Sequence, residues 1–299
     1  MHAKPAETAQ LQAGKAVLAG IAHGIARKLE VGKSPARGLA DPCDLTLRAM
    51  TDFFEMPDGR RIAFRHTAGT RKVSTIVFLP GYMSDMAGSK ATALFDWAQE
   101  HDRSCLLLDY SGCGESDGDF ADGTLSRWRD EVLALIEAKV EGQMLLIGSS
   151  MGGWLMLLVA LELGARDPGR LAGIVGIASA PDFSDWGYDA QQKAALDGGQ
   201  TVFEDNPYGP EPTPIHAAFW ADAQDNRLLG APIPIGCPVT LLHGQADADV
   251  PWDISMQLAA CLASDSVLIQ LTKDGDHRLS RPEDIARLLA AVEALQPVS

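Results

Sequence analysis

Residues 148–152 read Gly-Ser-Ser-Met-Gly and follow directly on the apolar run QMLLI. A G-x-S-x-G pattern where a strand passes into a helix marks a sharp turn that presents its central hydroxyl at the tip. Sterics choose between the two serines, because so tight a turn needs residues without side chains two before and two after the nucleophile. Ser150 has Gly148 and Gly152 at those offsets, whereas Ser149 has Ile147 and Met151. Ser150 is therefore the candidate nucleophile, and Ser149 is expected to pack beneath the turn.

A serine hydroxyl is a poor nucleophile until a base takes its proton, and the base needs a carboxylate to orient it. After such an elbow the order along the chain is Ser, then Asp or Glu, then His. The segment HGQADADVPW (243–252) follows an apolar strand and offers Asp247 and Asp249. His277 lies in KDGDHRLSRPED, a polar turn between the run SVLIQLT and the last helix. From such a loop one ring nitrogen can meet the nucleophile while the other meets the aspartate. The other histidines fit less well: His2 and His23 are N-terminal, His66 and His101 precede the nucleophile, His216 falls in a proline-rich insertion, and His243 follows a strand where a structural role suits it.

Acyl transfer also needs donors for an oxyanion. The backbone N–H of Met151, at a helix N-terminus, is one candidate. The other is the backbone N–H of Tyr82 in Leu79-Pro80-Gly81-Tyr82-Met83, where Gly81 lets the chain turn. The glycines of DYSGCGESDG (109–118) have the spacing G-x-G-x-x-x-G with no early helix. They read as a tight loop near the site and not as a dinucleotide fingerprint.

Apolar runs alternate with helical segments around these residues. Residues 49–56 and 61–66 flank the turn signal PDG and predict a hairpin. STIVFLP (74–80), SCLLLDY (104–110), QMLLIGS (143–149) and LAGIVGIAS (171–179) read as buried strands, separated by helices over about 87–101, 124–140 and from 151. CPVTLLHG (237–244), a helix near 252–263, SVLIQLT (266–272) and a helix near 282–295 resume the rhythm. The pattern predicts βαβ units and a parallel sheet covered on both faces. Between about 181 and 236 the rhythm breaks into prolines and aromatics, among them Trp186, Tyr188, Tyr208 and Trp220, which predicts an insertion of short helices and loops. Aromatic and apolar residues of this insertion, with Trp154 and Trp252 nearby in sequence, are expected either to form an acyl pocket or, for the tryptophans, to fill the core.

Of the 299 residues, 46% are apolar and 22% charged, and the formal net charge is −15, which argues against nucleic acid as a partner. The cysteines, Cys43, Cys105, Cys113, Cys237 and Cys261, are odd in number and scattered. They suggest a reducing compartment, expected to be the cytoplasm, and neither disulfides nor a metal site. Residues 1–40 differ from the rest in carrying six Lys/Arg against two acidic residues. Leu11, Leu18, Ile21, Ile25 and Leu29 fall there at helical spacing. Such a segment suits packing or partner contact, weak contact with an anionic membrane, or organellar targeting.

The blocks FLPGYMSDMAGSKA, DYSGCGESDG, IGSSMGGWLML, CPVTLLHGQADADVPWDISMQLA and DHRLS together resemble the α/β-hydrolase superfamily over about residues 49–296. They are most similar to the mitochondrial palmitoyl-protein thioesterase branch, also known as mycophenolic acid acyl-glucuronide esterase, and its bacterial relatives. The resemblance implies an α/β-hydrolase fold: a mostly parallel eight-stranded sheet with helices on both faces and a small helical cap over about 181–236; the basic amphipathic extension at 1–48 stands outside it, with no counterpart in that family. It favours Asp247 over Asp249, giving the triad Ser150, Asp247 and His277. It implies hydrolysis of carboxylic esters or acyl thioesters through an acyl-enzyme, without metal or cofactor, on a small-molecule or S-acylated substrate. A peptidase or acyltransferase on the same triad, or a non-catalytic binding protein on the same fold, is the alternative.

Overall fold

A computed structural model describes residues 51–207 and 209–295; the amphipathic segment at 1–40, Cys43 and Tyr208 lie outside them. In chain order the elements are β1 (Asp52–Glu55), β2 (Arg61–Thr67), β3 (Thr75–Leu79), α1 (Ser89–Glu100), β4 (Cys105–Leu108), α2 (Leu125–Lys139), β5 (Met144–Ser149), α3 (Met151–Arg166) and β6 (Leu171–Ile177). Then come α4 (Phe183–Trp186), α5 (Ala190–Asp197), β7 (Val202–Glu204), β8 (Thr213–Ile215), α6 (Ala217–Asp225), β9 (Val239–Gly244), α7 (Asp253–Cys261), β10 (Val267–Thr272) and α8 (Pro282–Ala294).

Eight strands form one sheet in the order β1-β2-β4-β3-β5-β6-β9-β10. β2 pairs antiparallel with β1 and β4, and every pairing from β4 to β10 is parallel. The central strands TIVFL, CLLL and MLLIGS are buried at every position, as continuous apolar runs in a two-sided sheet must be. Their alternate side chains feed two cores. One holds Leu106, Leu108 and Leu146 with the α2 and α3 residues Trp128, Val132, Trp154 and Val159. The other holds Ile76, Leu107 and Ile147 with Leu94 and Phe95 of α1 and Leu288 and Val292 of α8.

Helix α2 shows what fixes these elements. Thr124 caps it by accepting from the Arg127 N–H at 3.1 Å, and Leu125, Trp128, Val132, Leu135 and Ile136 bury one face. Each such side chain contributes about 1.5–3 kcal/mol on leaving water. Helix propensities differ by less than about 1 kcal/mol per residue, so the apolar stripe decides.

The insertion between β6 and β9 departs from the sequence expectation of helices and loops alone. It contains α4, α5 and α6, but β7 and β8 also pair as an antiparallel ribbon, with Phe203 opposite Pro214. Strands of three residues show no measurable alternation, and both strands of a two-stranded ribbon are edges, where proline is tolerated. Tyr188, Leu196, Ile215 and Trp220 form a small core of their own here. Among the described residues no helix is long and apolar enough to cross a membrane.

Candidate active site

The carboxyl ends of β3, β5, β9 and β10 meet at one edge of the sheet, and each leads into a loop carrying one of the predicted site residues. Open parallel sheets place their ligands outside such ends. Ser150 sits between β5 and α3 with φ 55° and ψ −122°, a backbone conformation unfavourable for a side chain. The flanking glycines are required by close approach. A Cβ on Gly148 would lie 2.3 Å from the Gly152 carbonyl oxygen, and one on Gly152 would lie 2.2 Å from the carbonyl oxygens of Leu79 and Pro80. Ser149 is buried at the end of β5, below the turn, as expected.

His277 Nε2 stands 3.0 Å from Ser150 Oγ, and its Nδ1 stands 2.9 Å from Asp247 Oδ2. Asp247 is wholly enclosed. Its Oδ1 accepts from the backbone N–H groups of Asp249 at 2.9 Å and Val250 at 2.8 Å. Burial alone would push this carboxyl up, but hydrogen bonds from His243 and His277, the charge of His277 and the Val250 N–H outweigh it. The net effect holds Asp247 well below the usual carboxylate range. Asp249, the other aspartate of the turn, is exposed and donates its backbone N–H to Asp247.

The acid and histidine loops are stitched together. The Ala246 N–H donates to the Gly275 carbonyl at 2.9 Å, and the Gln245 N–H donates to Thr272 at 2.8 Å. A Cβ on Gly244 would lie 2.1 Å from Gly275 O, so this crossing admits only glycine. Lys90 Nζ donates to the carbonyl of Arg278, next to His277, at 2.5 Å. Burial, helped by the Arg278 charge, lowers this ammonium to about 8 against the opposing pull of Asp276 and Asp284.

Tyr82 and Met151 line the Ser150 cavity, and among the described residues no backbone carbonyl outside the regular elements takes the N–H of either. Gly81 runs so close to the elbow that a Cβ there would lie 3.4 Å from Ser150 Cβ. The DYSGCGESDG loop lies one layer behind instead of lining the cavity. The Tyr110 hydroxyl donates to Pro80 O at 2.9 Å, and buried Asp109 accepts from the N–H groups of Met86 at 2.7 Å and Glu115 at 2.9 Å. That loop therefore buttresses the segment carrying Tyr82.

The cavity measures about 610 Å³ and is walled on the insertion side by Phe183, Trp186, Tyr188 and Ile215, with Glu204 and Asp205 beside them. Neither tryptophan singled out near the motifs lines it. Trp154 is fully buried and donates from Nε1 to Asn226 O at 3.0 Å, while Trp252 is 39% exposed. The wall comes from Trp186, which only the tertiary arrangement brings over the elbow. Asp247, Asp249 and His277 also bring ligand atoms within 4.8 Å of one another. Both Asp247 oxygens already accept two N–H groups each, so no lone pair there is turned toward a shared cation.

His243, expected from its place after a strand to be structural, lies against the Asp247 carboxylate. Its ring is completely buried, with Nδ1 2.7 Å from Ser255 Oγ and Nε2 3.1 Å from Val250 O and 3.2 Å from Asp247 Oδ2. A histidine four residues before an aspartate, across a turn, was the available signal.

The profile described as the Alpha/beta hydrolase family matches residues 76–288. The mitochondrial palmitoyl-protein thioesterase of Homo sapiens is 35% identical over 252 residues, spanning 81% of this chain and 79% of that protein. A crystal structure from Agrobacterium vitis S4 superimposes with a TM-score of 0.77 at 38% identity, covering 82% of this chain and 98% of that one. Alpha/beta hydrolase domain-containing protein 10 from mouse gives a TM-score of 0.75 at 33% identity, covering 83% and 98%. The expected cytoplasmic location is corrected by these relatives: the mammalian proteins carry the description mitochondrial, which favours an organellar location. Scattered free thiols mark a reducing compartment, and the cytosol is only one such compartment.

Proposed function

The chain belongs to the alpha/beta hydrolase family, on the palmitoyl-protein thioesterase branch, as a serine-dependent hydrolase of carboxylic esters or acyl thioesters, and we propose that Ser150, Asp247 and His277 are its catalytic triad. The observation that carries the assignment is the imidazole of His277, placed 3.0 Å from Ser150 Oγ and 2.9 Å from an enclosed carboxylate. Ser150 Oγ attacks the acyl carbonyl as His277 Nε2 takes its proton. Asp247 keeps the other ring hydrogen on Nδ1 and stabilises the imidazolium that forms. The oxyanion is received by the N–H groups of Tyr82 and Met151, each such donor being worth about 3–4 kcal/mol of barrier. His277 then protonates the leaving alkoxide or thiolate, and water, activated by the same ring, releases the acid.

We assign the acyl group of an ester or S-acylated substrate to the wall of Phe183, Trp186, Tyr188 and Ile215, with residues 181–236 as the cap of a domain spanning 49–296. One observation favours a second reading, acyl transfer to an amine or peptide cleavage: Glu204, Asp205 and Asp249 border the same cavity and suit a cationic acceptor. A fluorophosphonate probe tests the triad. Wild type is expected to label and Ser150→Ala to stay unlabelled, and equal labelling of both would remove Ser150 from its role. Acyl-CoA and S-acyl peptide substrates, followed with and without added amines, separate the readings. Free acid as the product at every amine concentration supports hydrolysis; amide formation supports transfer.

A further inference from the structure

We propose that His243 is a positioning residue for the acid of the triad: its Nε2–H shares Asp247 Oδ2 with His277 and sets how strongly the carboxylate acts on that ring. The proposal rests on the triad reading above. The hydrogen placement follows from the partners. Nε2 faces two acceptors, the Val250 carbonyl and a carboxylate held far below neutral pH, so Nε2 must carry the hydrogen. Nδ1 then accepts from the Ser255 hydroxyl at 2.7 Å. With the ring completely buried, no water competes for either position.

The consequence lies in how Asp247 divides its lone pairs. Oδ1 is fixed by two backbone N–H groups, and a carboxylate held at one oxygen can still pivot about that edge. Oδ2 receives His277 at 2.9 Å and His243 at 3.2 Å. The longer bond shares its hydrogen with Val250 O, so it restrains the carboxylate while leaving His277 the stronger partner. Removing it would free Oδ2 to pivot and would concentrate negative charge on the His277 side. Both effects are specific: turnover falls through misalignment, and the imidazolium is better stabilised, which moves the acid limb of activity to higher pH. The other charges near this pair, Asp249 on the same turn, Asp276 and Arg278 beside His277, and Lys90 behind Arg278, are left in place by the substitution.

The test compares His243→Leu, which lacks the donor, with His243→Gln, whose side-chain amide can reach the Nε2 position. On a p-nitrophenyl ester, His243→Leu is expected to lose about 10- to 100-fold in kcat, the scale seen when the hydrogen-bond partner that orients a metal ligand is removed. KM should change less than about twofold, and the acid limb of kcat/KM should rise by about half a pH unit or more. His243→Gln should recover most of kcat and restore the limb. An unmoved acid limb in His243→Leu, or equal losses for Leu and Gln, would overturn the proposal in favour of plain packing. Wild type supplies a readout that needs no variant. Its ¹⁵N-histidine spectrum should show His243 with hydrogen on Nε2 and a resonance that shifts when Ser150 is phosphonylated; hydrogen on Nδ1 alone would refute the assignment. Failure of wild type to label with the phosphonate would instead sink the triad reading, so the two failures are distinguishable.

Discussion

Replacing Tyr82 by phenylalanine removes one oxygen and separates two jobs that this residue combines. Its backbone N–H is the proposed oxyanion donor, while its hydroxyl donates across the cavity to Pro214 O of β8 at 2.9 Å. Burial pushes the phenol well above its ordinary value, so it remains a donor through the alkaline range. The ring is wedged edge-on against Phe120 at 4.9 Å and Phe219 at 5.0 Å, and both contacts survive in Tyr82→Phe. The lost hydrogen bond is part-buried and neutral, worth about 1 kcal/mol net, or about fivefold in the ratio of docked to undocked ribbon. With the ring pinned, the N–H should stay in place, so kcat on a short acetyl ester should hold within about twofold. Long-chain substrates, which need the wall completed by Ile215 and Trp186, should show a KM raised by at most about fivefold. Steady-state kinetics on a p-nitrophenyl series from acetate to palmitate checks both halves. A tenfold loss of kcat on acetate would refute the separation, because it would show the hydroxyl supporting the oxyanion donor itself. An unchanged KM on long chains would refute the tether.

Asp247→Asn should lower kcat by about 10⁴-fold, the loss typical when an orienting carboxylate becomes an amide and the histidine takes the wrong tautomer. It should also destabilise at pH 7, by about 1–3 kcal/mol for each N–H left facing the new NH₂. Because folding depresses the Asp247 carboxyl, its contribution is complete above the unfolded value of about 3.9 and fades as pH falls below it. Chemical denaturation should therefore show the gap between wild type and Asp247→Asn narrowing in acid; a widening gap would reverse the sign assigned to that shift. Gly152→Ala drives a Cβ to 2.2 Å from two backbone carbonyls, so phosphonate labelling should collapse and stability fall by about 1–3 kcal/mol. Gly164→Ala, later in α3 with nothing within 4 Å of the new methyl, should instead stabilise by about 0.5–1 kcal/mol, and labelling at wild-type rates in both would discard the steric account of the elbow.

What the sequence made legible follows from range. Ser150 was readable because its constraint is local: two glycines two residues away, between an apolar run and a helix. The strands were readable because burial on both faces leaves continuous apolar runs, and their ends fell within a few residues of the expected positions. His277 was readable from its place after the last strand. Residues whose partners lie far along the chain left no such trace. Which aromatics wall the cavity was not legible: Trp186 of the insertion does, whereas Trp252 beside the acid motif is 39% exposed and does not. Tyr110 meets Pro80 thirty residues away, and Glu131 meets Ser111 and Arg60 behind the oxyanion loop. The ribbon of β7 and β8 escaped because three residues carry no period.

The acidic balance of the chain sets a last physical problem, since a net charge of −15 opposes an anionic intermediate and favours a cationic imidazole. Distance resolves it. Exposed charges act through water and are largely screened beyond about 8–10 Å at physiological salt. Unit charges 4 Å apart near a protein surface, by contrast, interact with about 4 kcal/mol. A cationic His277 therefore responds mainly to Asp247 at 2.9 Å and to Asp249 within 4.8 Å, and the oxyanion mainly to the two N–H groups proposed to receive it. Asp249 stands close, its carboxylate within 4.8 Å of His277, and adds to the pull of Asp247 on a cationic ring, while Glu204 and Asp205 border the same cavity, where their field disfavours anionic leaving groups. Rate on charged substrates should thus depend on salt, while rate on neutral esters should not. The surface charge then selects among substrates, and the local dipoles determine the barrier.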